Sequence, residues 1–139
     1  MLDKAILIAA QAHLGQTDRA DAPYILHPLR VMFHLESETE MTIAILHDVV
    51  EDNPAWTLDR LCAEGFSEEV VAAVDCLTRR EDESYDAYID RIGANPLARR
   101  VKLADLHDNM NIKRLPAMTE KNLHKIARYH QAWLKLAQM

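Results

Sequence analysis

Apolar residues recur along almost the whole chain at intervals of three and four, the spacing of one face of an α-helix. Ile6, Ala9, Ala10 and His13 follow this pattern at the start, with Gly15 as a stop. Residues 17–26 have no period and read as a loop. Pro28 suits the first turn of a second helix running to about Leu35, because the N–H that proline lacks would be unpaired there anyway. A third, continuous helix is predicted over 41–52, and Thr57 caps a short fourth that Gly65 ends. Ser67 followed by Glu68 and Glu69 starts a fifth, since carboxylates favour the positive end of a helix. Its buried stripe is Val70, Val71, Val74 and Leu77. Ser84 caps a sixth through Ile92, and Asn95-Pro96 opens a long seventh reaching about Arg114. Thr119 starts the last, with Leu123, Ile126, Ala127, His130, Leu134 and Ala137 on one face. No segment alternates as a strand does, so the expected class is all-α with seven or eight helices.

Composition narrows the function more than the fold. A chain of 139 residues is expected to form one domain over 1–139, because halves of that length would have poor cores. A hydrophobic share of 49% against 27% charged residues excludes wholesale disorder. The 16 basic and 22 acidic residues give a net charge of −6, which argues against nucleic acid as a partner, since that needs a broad basic surface. A smaller polyanion needs a local basic pocket or a metal ion. Cys62 and Cys76 form no CxxC pattern and no disulfide framework, which fits a reducing cytoplasm. No apolar run approaches membrane-spanning length, so no membrane association is expected. The apolar stretch after Lys4 passes directly into Gln11 and His13, and reads as the first helix rather than a signal peptide.

The strongest chemical signal lies in the third predicted helix. On a continuous helix His47 sits above Glu51 and Asp48 above Asp52, forming a polar wedge about 140° wide. Met41, Ala44 and Ile45 lie on the same side one turn upstream, and Ile43, Leu46, Val49 and Val50 cover the other side. A helix apolar around most of its girth is mostly buried. Three carboxylates and an imidazole in such a place need a cation or a strong partner network. A solvated polar face, the usual reading of a charge cluster, fits this setting poorly. Two further segments are candidates to complete a site. His27 precedes Pro28 and, taken alone, reads as a capping or core histidine. Lys102, Asp105 and Asn109 share one face of the long helix within about 60° and, taken alone, read as a polar stripe with one ion pair.

Together these segments resemble a known family. The succession His13-x-Gly-Gln16, Pro-Tyr-Ile-x-His27-Pro, His47-Asp-Val-Val-Glu-Asp52 and Lys102-Leu-Ala-Asp105 followed by Asn109 is similar to the hydrolase domain of the RelA/SpoT family. That domain belongs to the HD superfamily of metal-dependent phosphohydrolases. The likeness runs from about Ala5 to Tyr129, and the chain is too short to hold a synthetase domain as well; it looks like the stand-alone small alarmone hydrolases. The resemblance implies one Mn²⁺ held by His27, His47, Asp48 and Asp105. It implies that Glu51 and Asp52 orient and activate the attacking water, and that Asn109 contacts the nucleoside. The implied reaction removes pyrophosphate from the 3′ position of (p)ppGpp. Lys102 is the leading candidate to hold the polyphosphate, with Arg79, Arg80, Lys113 and Arg114 as further cations.

The chain departs from the family pattern at two places. Asp18 and Arg19 stand where the family usually has a consecutive Arg-Lys, the Arg of which stacks on guanine; only Arg19 remains as a cation for substrate. Met110-Asn111 stands where the family usually has Met-Arg. A carboxylate cannot stack as a guanidinium plane does, so an adenine alarmone, (p)ppApp, is a second candidate substrate. Two alternatives stay open: an HD phosphohydrolase acting on another nucleotide, and a non-catalytic nucleotide-binding module.

Overall fold

The computed structural model describes residues 1–139. Its helices are α1 (Leu2–Ala12), α2 (Leu26–Phe33), α3 (Glu38–Leu46), α4 (Val49–Asp52), α5 (Leu58–Ala63), α6 (Glu68–Leu77), α7 (Tyr85–Gly93), α8 (Pro96–Asn109) and α9 (Glu120–Ala137), with a 3₁₀ turn at Ile112–Arg114. The fold is all-α, as the periodicity predicts; one isolated bridge, between Thr17 and Pro23, pinches the loop after α1. No helix is long and apolar enough to cross a membrane.

The capping residues fix most helix starts. The side chains of Thr57, Ser67, Ser84 and Thr119 each accept a backbone N–H three residues on. Asn95 accepts two, from Leu97 at 3.1 Å and Ala98 at 3.0 Å, and Pro96 takes the first helical position behind it. This sets the register of α8, the helix that carries Lys102, Asp105 and Asn109.

Three boundaries differ from expectation. α2 begins at Leu26, two residues before Pro28. α8 ends at Asn109, and the chain re-enters a helical turn only at Ile112. The predicted 41–52 helix is not continuous: α3 stops at Leu46, and His47 and Asp48 form a turn before the four-residue α4. The cause is local. In an unbroken helix the Ala44 carbonyl would accept from the N–H of Asp48. Here it accepts from the backbone N–H of His47 and from its Nδ1–H, so the imidazole competes with the ladder. α9 differs in its buried face. It buries Ala132 and Leu136, whereas the predicted Leu123 and Leu134 are 54% and 41% exposed. Apolar residues lie on both sides of this helix, so periodicity alone could not choose between them.

Twenty-six buried apolar residues make one continuous core. α3 runs through it, with Ile43, Ala44, Ile45 and Leu46 fully buried, and packs against α1, α2, α6 and α8. α8 packs against α2, α3, α6, α7 and α9. These two central helices also carry the polar residues singled out above, so those residues are held by the best-packed part of the protein.

The connection from α6 to α7 is closed by Arg91. Its guanidinium donates to both oxygens of Glu83, at 2.8 Å each, and to the carbonyls of Asp75, Cys76 and Thr78. The hydrogen bonds from Arg91 hold the Glu83 carboxyl down at about 2. A depressed carboxyl contributes stability above its unfolded value, near 4.5, and loses that contribution as pH falls toward 2. Glu83→Gln is therefore expected to flatten the acid limb of the stability curve between about pH 4.5 and 2. Urea unfolding followed by circular dichroism at a series of pH values checks this. Equal slopes in the two proteins would show that the pair does not act in this way.

Candidate active site

Three segments bring the predicted ligand set together: α2 supplies His27, the turn after α3 supplies His47 and Asp48, and α8 supplies Asp105. His27 Nε2 lies 2.8 Å from Asp105 Oδ1 and 3.7 Å from Asp48 Oδ2. His47 Nε2 lies 3.3 Å from the same Asp105 oxygen and 3.1 Å from the same Asp48 oxygen. His27, His47 and Asp105 are at most 5% exposed.

The donor set fits a divalent cation by two observations. Donors about 2.1 Å from an octahedral ion lie about 3 Å from their neighbours; the four imidazole–carboxylate separations here run from 2.8 to 3.7 Å, and one donor atom each from His27, His47 and Asp48 lie within 4.8 Å of one another. The rings are also oriented for it. His47 Nδ1–H donates to the Ala44 carbonyl, and His27 Nδ1–H donates to Asp108 Oδ2 at 2.6 Å. Both Nε2 atoms are thereby turned to the centre, with the outer nitrogen anchored as ligating imidazoles usually are.

The electrostatics follow from the same contacts. Burial opposes the charged form of His27, but the hydrogen bonds to Asp105 and Asp108 outweigh it and raise it to about 9. Burial opposes His47 likewise, and Asp48 and Asp105 raise it well above the ordinary histidine range. Burial would raise Asp105, but Lys102, His27 and His47 hold it well below the carboxylate range. Asp48 is lowered against its burial by His47. The centre therefore has a strong demand for positive charge, which protons or a metal ion can meet at the same lone pairs.

Several neighbours complete the centre. Lys102 Nζ donates to Asp105 Oδ2 at 2.9 Å, and Asn109 Nδ2 donates to Asp105 Oδ1 at 3.3 Å. Tyr24 O–H donates to Asp48 Oδ2 at 2.5 Å. Asp108, 4% exposed, also receives Arg30 and Arg114. Tyr24 lies inside the Pro-Tyr-Ile-x-His-Pro motif without a role read from it, and Asp108 stands one turn after Asp105 on α8. The i, i+3 spacing of Asp105 and Asp108 was the available sign of the latter.

Glu51 and Asp52 are not part of a buried wedge. The break after α3 swings them outward, and both are solvent-exposed. Glu51 Oε1 accepts the backbone N–H of Arg79 at 3.2 Å, and Asp52 Oδ2 accepts from Gln16 Nε2 at 3.2 Å. Partial burial and then the Asp48 charge raise both carboxyls above their ordinary values.

A cavity of about 510 Å³ opens over the centre. His27, Asp48, Glu51 and Asp105 lie at its floor and edge, and Arg19, Arg79, Lys102, Arg114, Lys125 and Arg128 line it. Lys125 and Arg128, on α9, were not singled out in the sequence. The Arg128 guanidinium lies 4.3 Å from the ring centre of Tyr85. Asn109 and Asn111 also line this space, whereas Arg80 and Lys113 do not. Asp18 does not present its carboxylate to the cavity as a free charge. Its Oδ1 accepts the N–H groups of Ala20 and Ala22, and its Oδ2 pairs with Arg114 at 3.3 Å.

No protein-family model matches the chain. Its all-helical fold is that of the HD-type domain. A solved structure of a metazoan ortholog of SpoT that hydrolyzes ppGpp has the same fold, with a TM-score of 0.79 at 20% identity over 97% of this chain and 84% of that one. The bifunctional (p)ppGpp synthase/hydrolase SpoT of Escherichia coli (strain K12) is 33% identical over 141 residues, covering 91% of this chain and 20% of SpoT. A guanosine-3′,5′-bis(diphosphate) 3′-pyrophosphohydrolase of Aquifex aeolicus is 30% identical over 140 residues, covering 91% and 19%. The chain belongs to the RelA/SpoT family, and it spans about a fifth of the length of the curated relatives it matches.

Asp108 gives the site a test on stability. It is the shared acceptor for His27, Arg30 and Arg114, so removing its charge leaves those partners uncompensated. Asp108→Asn is expected to cost roughly 3 kcal/mol, seen as a lower urea midpoint with an unchanged slope. An unchanged midpoint would mean that the three cationic partners do not depend on it.

Proposed function

We propose that this chain is a metal-dependent hydrolase that releases pyrophosphate from the 3′ position of a purine nucleotide alarmone, (p)ppGpp or (p)ppApp. One observation carries the reading: the Nε2 atoms of His27 and His47 each lie within 3.7 Å of an Asp48 oxygen and an Asp105 oxygen, beside a cavity lined by six cationic side chains. The names of the relatives support the substrate class. His27, His47, Asp48 and Asp105 are the proposed ligands, and a mixed imidazole and carboxylate set without thiolate suits Mn²⁺. A divalent ion held there supplies Lewis acidity toward phosphoryl oxygens and a lowered pKa for water.

The chain's own residues do the rest. Glu51 and Asp52 orient the attacking water and accept its proton, and their raised pKa values bring them closer to the range where a carboxylate is an effective base. The water oxygen forms a bond to phosphorus, the bond to the 3′ oxygen breaks, and that oxygen is protonated as the nucleoside 5′-phosphate leaves pyrophosphate behind. Lys102 neutralises charge at the phosphoryl group, Arg19 holds the polyphosphate, and Asn109 contacts the nucleoside. With Asp18 committed to its own loop and to Arg114, neither of its groups can stack on a base. This supports weakened discrimination between guanine and adenine.

The test is hydrolysis of ppGpp and ppApp by the Mn²⁺-reconstituted protein, with products resolved by ion-exchange chromatography. Free pyrophosphate is the expected product, with the two substrates turned over at comparable kcat/KM. Orthophosphate alone, or no turnover with any divalent metal, overturns the reading. Asp48→Ala and Asp105→Ala are expected to lose bound Mn²⁺ in metal analysis. The Glu51→Gln, Asp52→Asn double variant is expected to keep the metal and lose turnover by roughly 10²-fold or more. A folded Asp105→Ala protein with full metal content would refute the ligand assignment.

A further inference from the structure

Asp52 is held by a side-chain chain that the reaction itself does not call for. His13 Nδ1 is 2.9 Å from Gln16 Oε1, and Gln16 Nε2 is 3.2 Å from Asp52 Oδ2. His13 is 2% exposed, and its other nitrogen, Nε2, is buried with no hydrogen-bond partner. An orphaned buried polar atom is destabilising, so packing alone favours an apolar residue at this position. The only side chain His13 bonds is Gln16, and Gln16 passes the constraint to Asp52.

The polarity of the chain is determined by its ends. A bare Nε2 is a weaker burden as an unpaired acceptor than as an unpaired donor, which places the proton on Nδ1. Nδ1–H then donates to Oε1, and the Gln16 amide presents its N–H to Asp52. The flipped amide would set its oxygen against the Asp52 carboxylate. The backbone is fixed as well. Gly15, at φ +81°, makes the turn that returns Gln16 toward α4, a conformation that favours glycine. Gln16 N–H bonds the His13 carbonyl at 3.0 Å, and Tyr24 N–H bonds the Gln16 carbonyl at 2.8 Å. Asp52 ends a four-residue helix and is exposed, so without Gln16 nothing on its own element restrains its carboxylate.

We propose that His13 and Gln16 are positioning residues that hold the Asp52 carboxylate, ionised and in one orientation, at the edge of the metal centre. This rests on the reading of Asp52 as a group that acts on the attacking water. Neither residue touches the proposed ligands through a side-chain hydrogen bond, so the effect is expected in turnover and not in metal or substrate affinity.

The experiment compares Gln16→Leu, His13→Leu and His13→Asn in the full chain, measuring kcat, KM and Mn²⁺ affinity by electron paramagnetic resonance of the free ion. Gln16→Leu and His13→Leu are expected to lower kcat about 10-fold, with KM and Mn²⁺ affinity within about 2-fold of wild type. His13→Asn restores most of the loss, because the asparagine amide N–H stands where Nδ1–H stood. In an Asp52→Asn background the Gln16→Leu change is expected to cost nothing further, since its effect runs through Asp52. Should His13→Leu fail to fold, Gln16→Leu alone carries the comparison. Wild-type turnover in Asp52→Asn itself overturns the assignment of Asp52, and this inference with it. Loss of turnover in Asp52→Asn beside wild-type kcat in Gln16→Leu overturns the positioning role alone, as does an equal loss in both backgrounds.

Discussion

His27 and His47, from separate segments, each bring Nε2 within 3.7 Å of both Asp48 and Asp105 in a part of the protein that largely excludes water. Buried like charges so close repel one another and lose hydration, so the arrangement persists only where positive charge is supplied. Lys102 supplies one such charge directly, at 2.9 Å from Asp105. The imidazoles, protonated or bound to a cation, supply the remainder. Much of the fold answers to this one requirement. α3 and α8 occupy the middle of the core because the centre must be walled by apolar residues. α3 stops at Leu46 because His47 turns its ring inward and takes the Ala44 carbonyl with its Nδ1–H.

Orientation around the centre is imposed from outside it. Each ring has its Nδ1 anchored, one on a backbone carbonyl and the other on Asp108, so rotation of either imidazole would break a buried bond. Asp48 is fixed by Tyr24, and Asp105 by Lys102 and Asn109. Rigidity falls outward. His27, His47 and Asp105 are buried, Glu51 and Asp52 are exposed, and the acid pair is steadied only by a backbone N–H and one amide. Groups that hold a cation need fixed positions, whereas groups that exchange protons with water need access to it. The break between α3 and α4 separates the inward-facing His47 and Asp48 from the exposed Glu51 and Asp52, which one straight helix would have stacked on the same face.

What was legible in the sequence was local chemistry. Ser67, Ser84, Asn95 and Thr119 mark helix starts because each places an acceptor against N–H groups that have no other partner. The four clustered residues were legible as well, His47 and Asp48 by spacing, but His27 and Asp105 only through the motif resemblance. Features set by tertiary contact were not. The turn at His47 depends on an imidazole choosing a backbone carbonyl over solvent. The buried face of α9 depends on which of two apolar sides meets α7 and α8. Asp108 looks like one more polar residue until α2 brings His27 and Arg30 against it, and Lys125 and Arg128 enter the cavity only because α9 folds back over α8.

The charge of the cavity shows how an acidic chain can present a cationic pocket. Of the six cations lining it, Lys102 is paired with Asp105, and Arg114 with both Asp18 and Asp108. These pairs tie the loop after α1, the centre and the 3₁₀ turn into one framework. Arg19, Arg79, Lys125 and Arg128 have no carboxylate within ion-pair distance, and they stand on three different segments around the opening. Partial burial, and then the charges of Arg19, Lys121 and Arg128, lower the Lys125 ammonium below its ordinary value. Mutual repulsion of this kind destabilises the free protein and is relieved by any anion that enters. The paired cations thus build the wall, and the unpaired ones select by charge what can cross it. An anion long enough to reach from the His/Asp centre to α9 meets both, and a single phosphate meets only one.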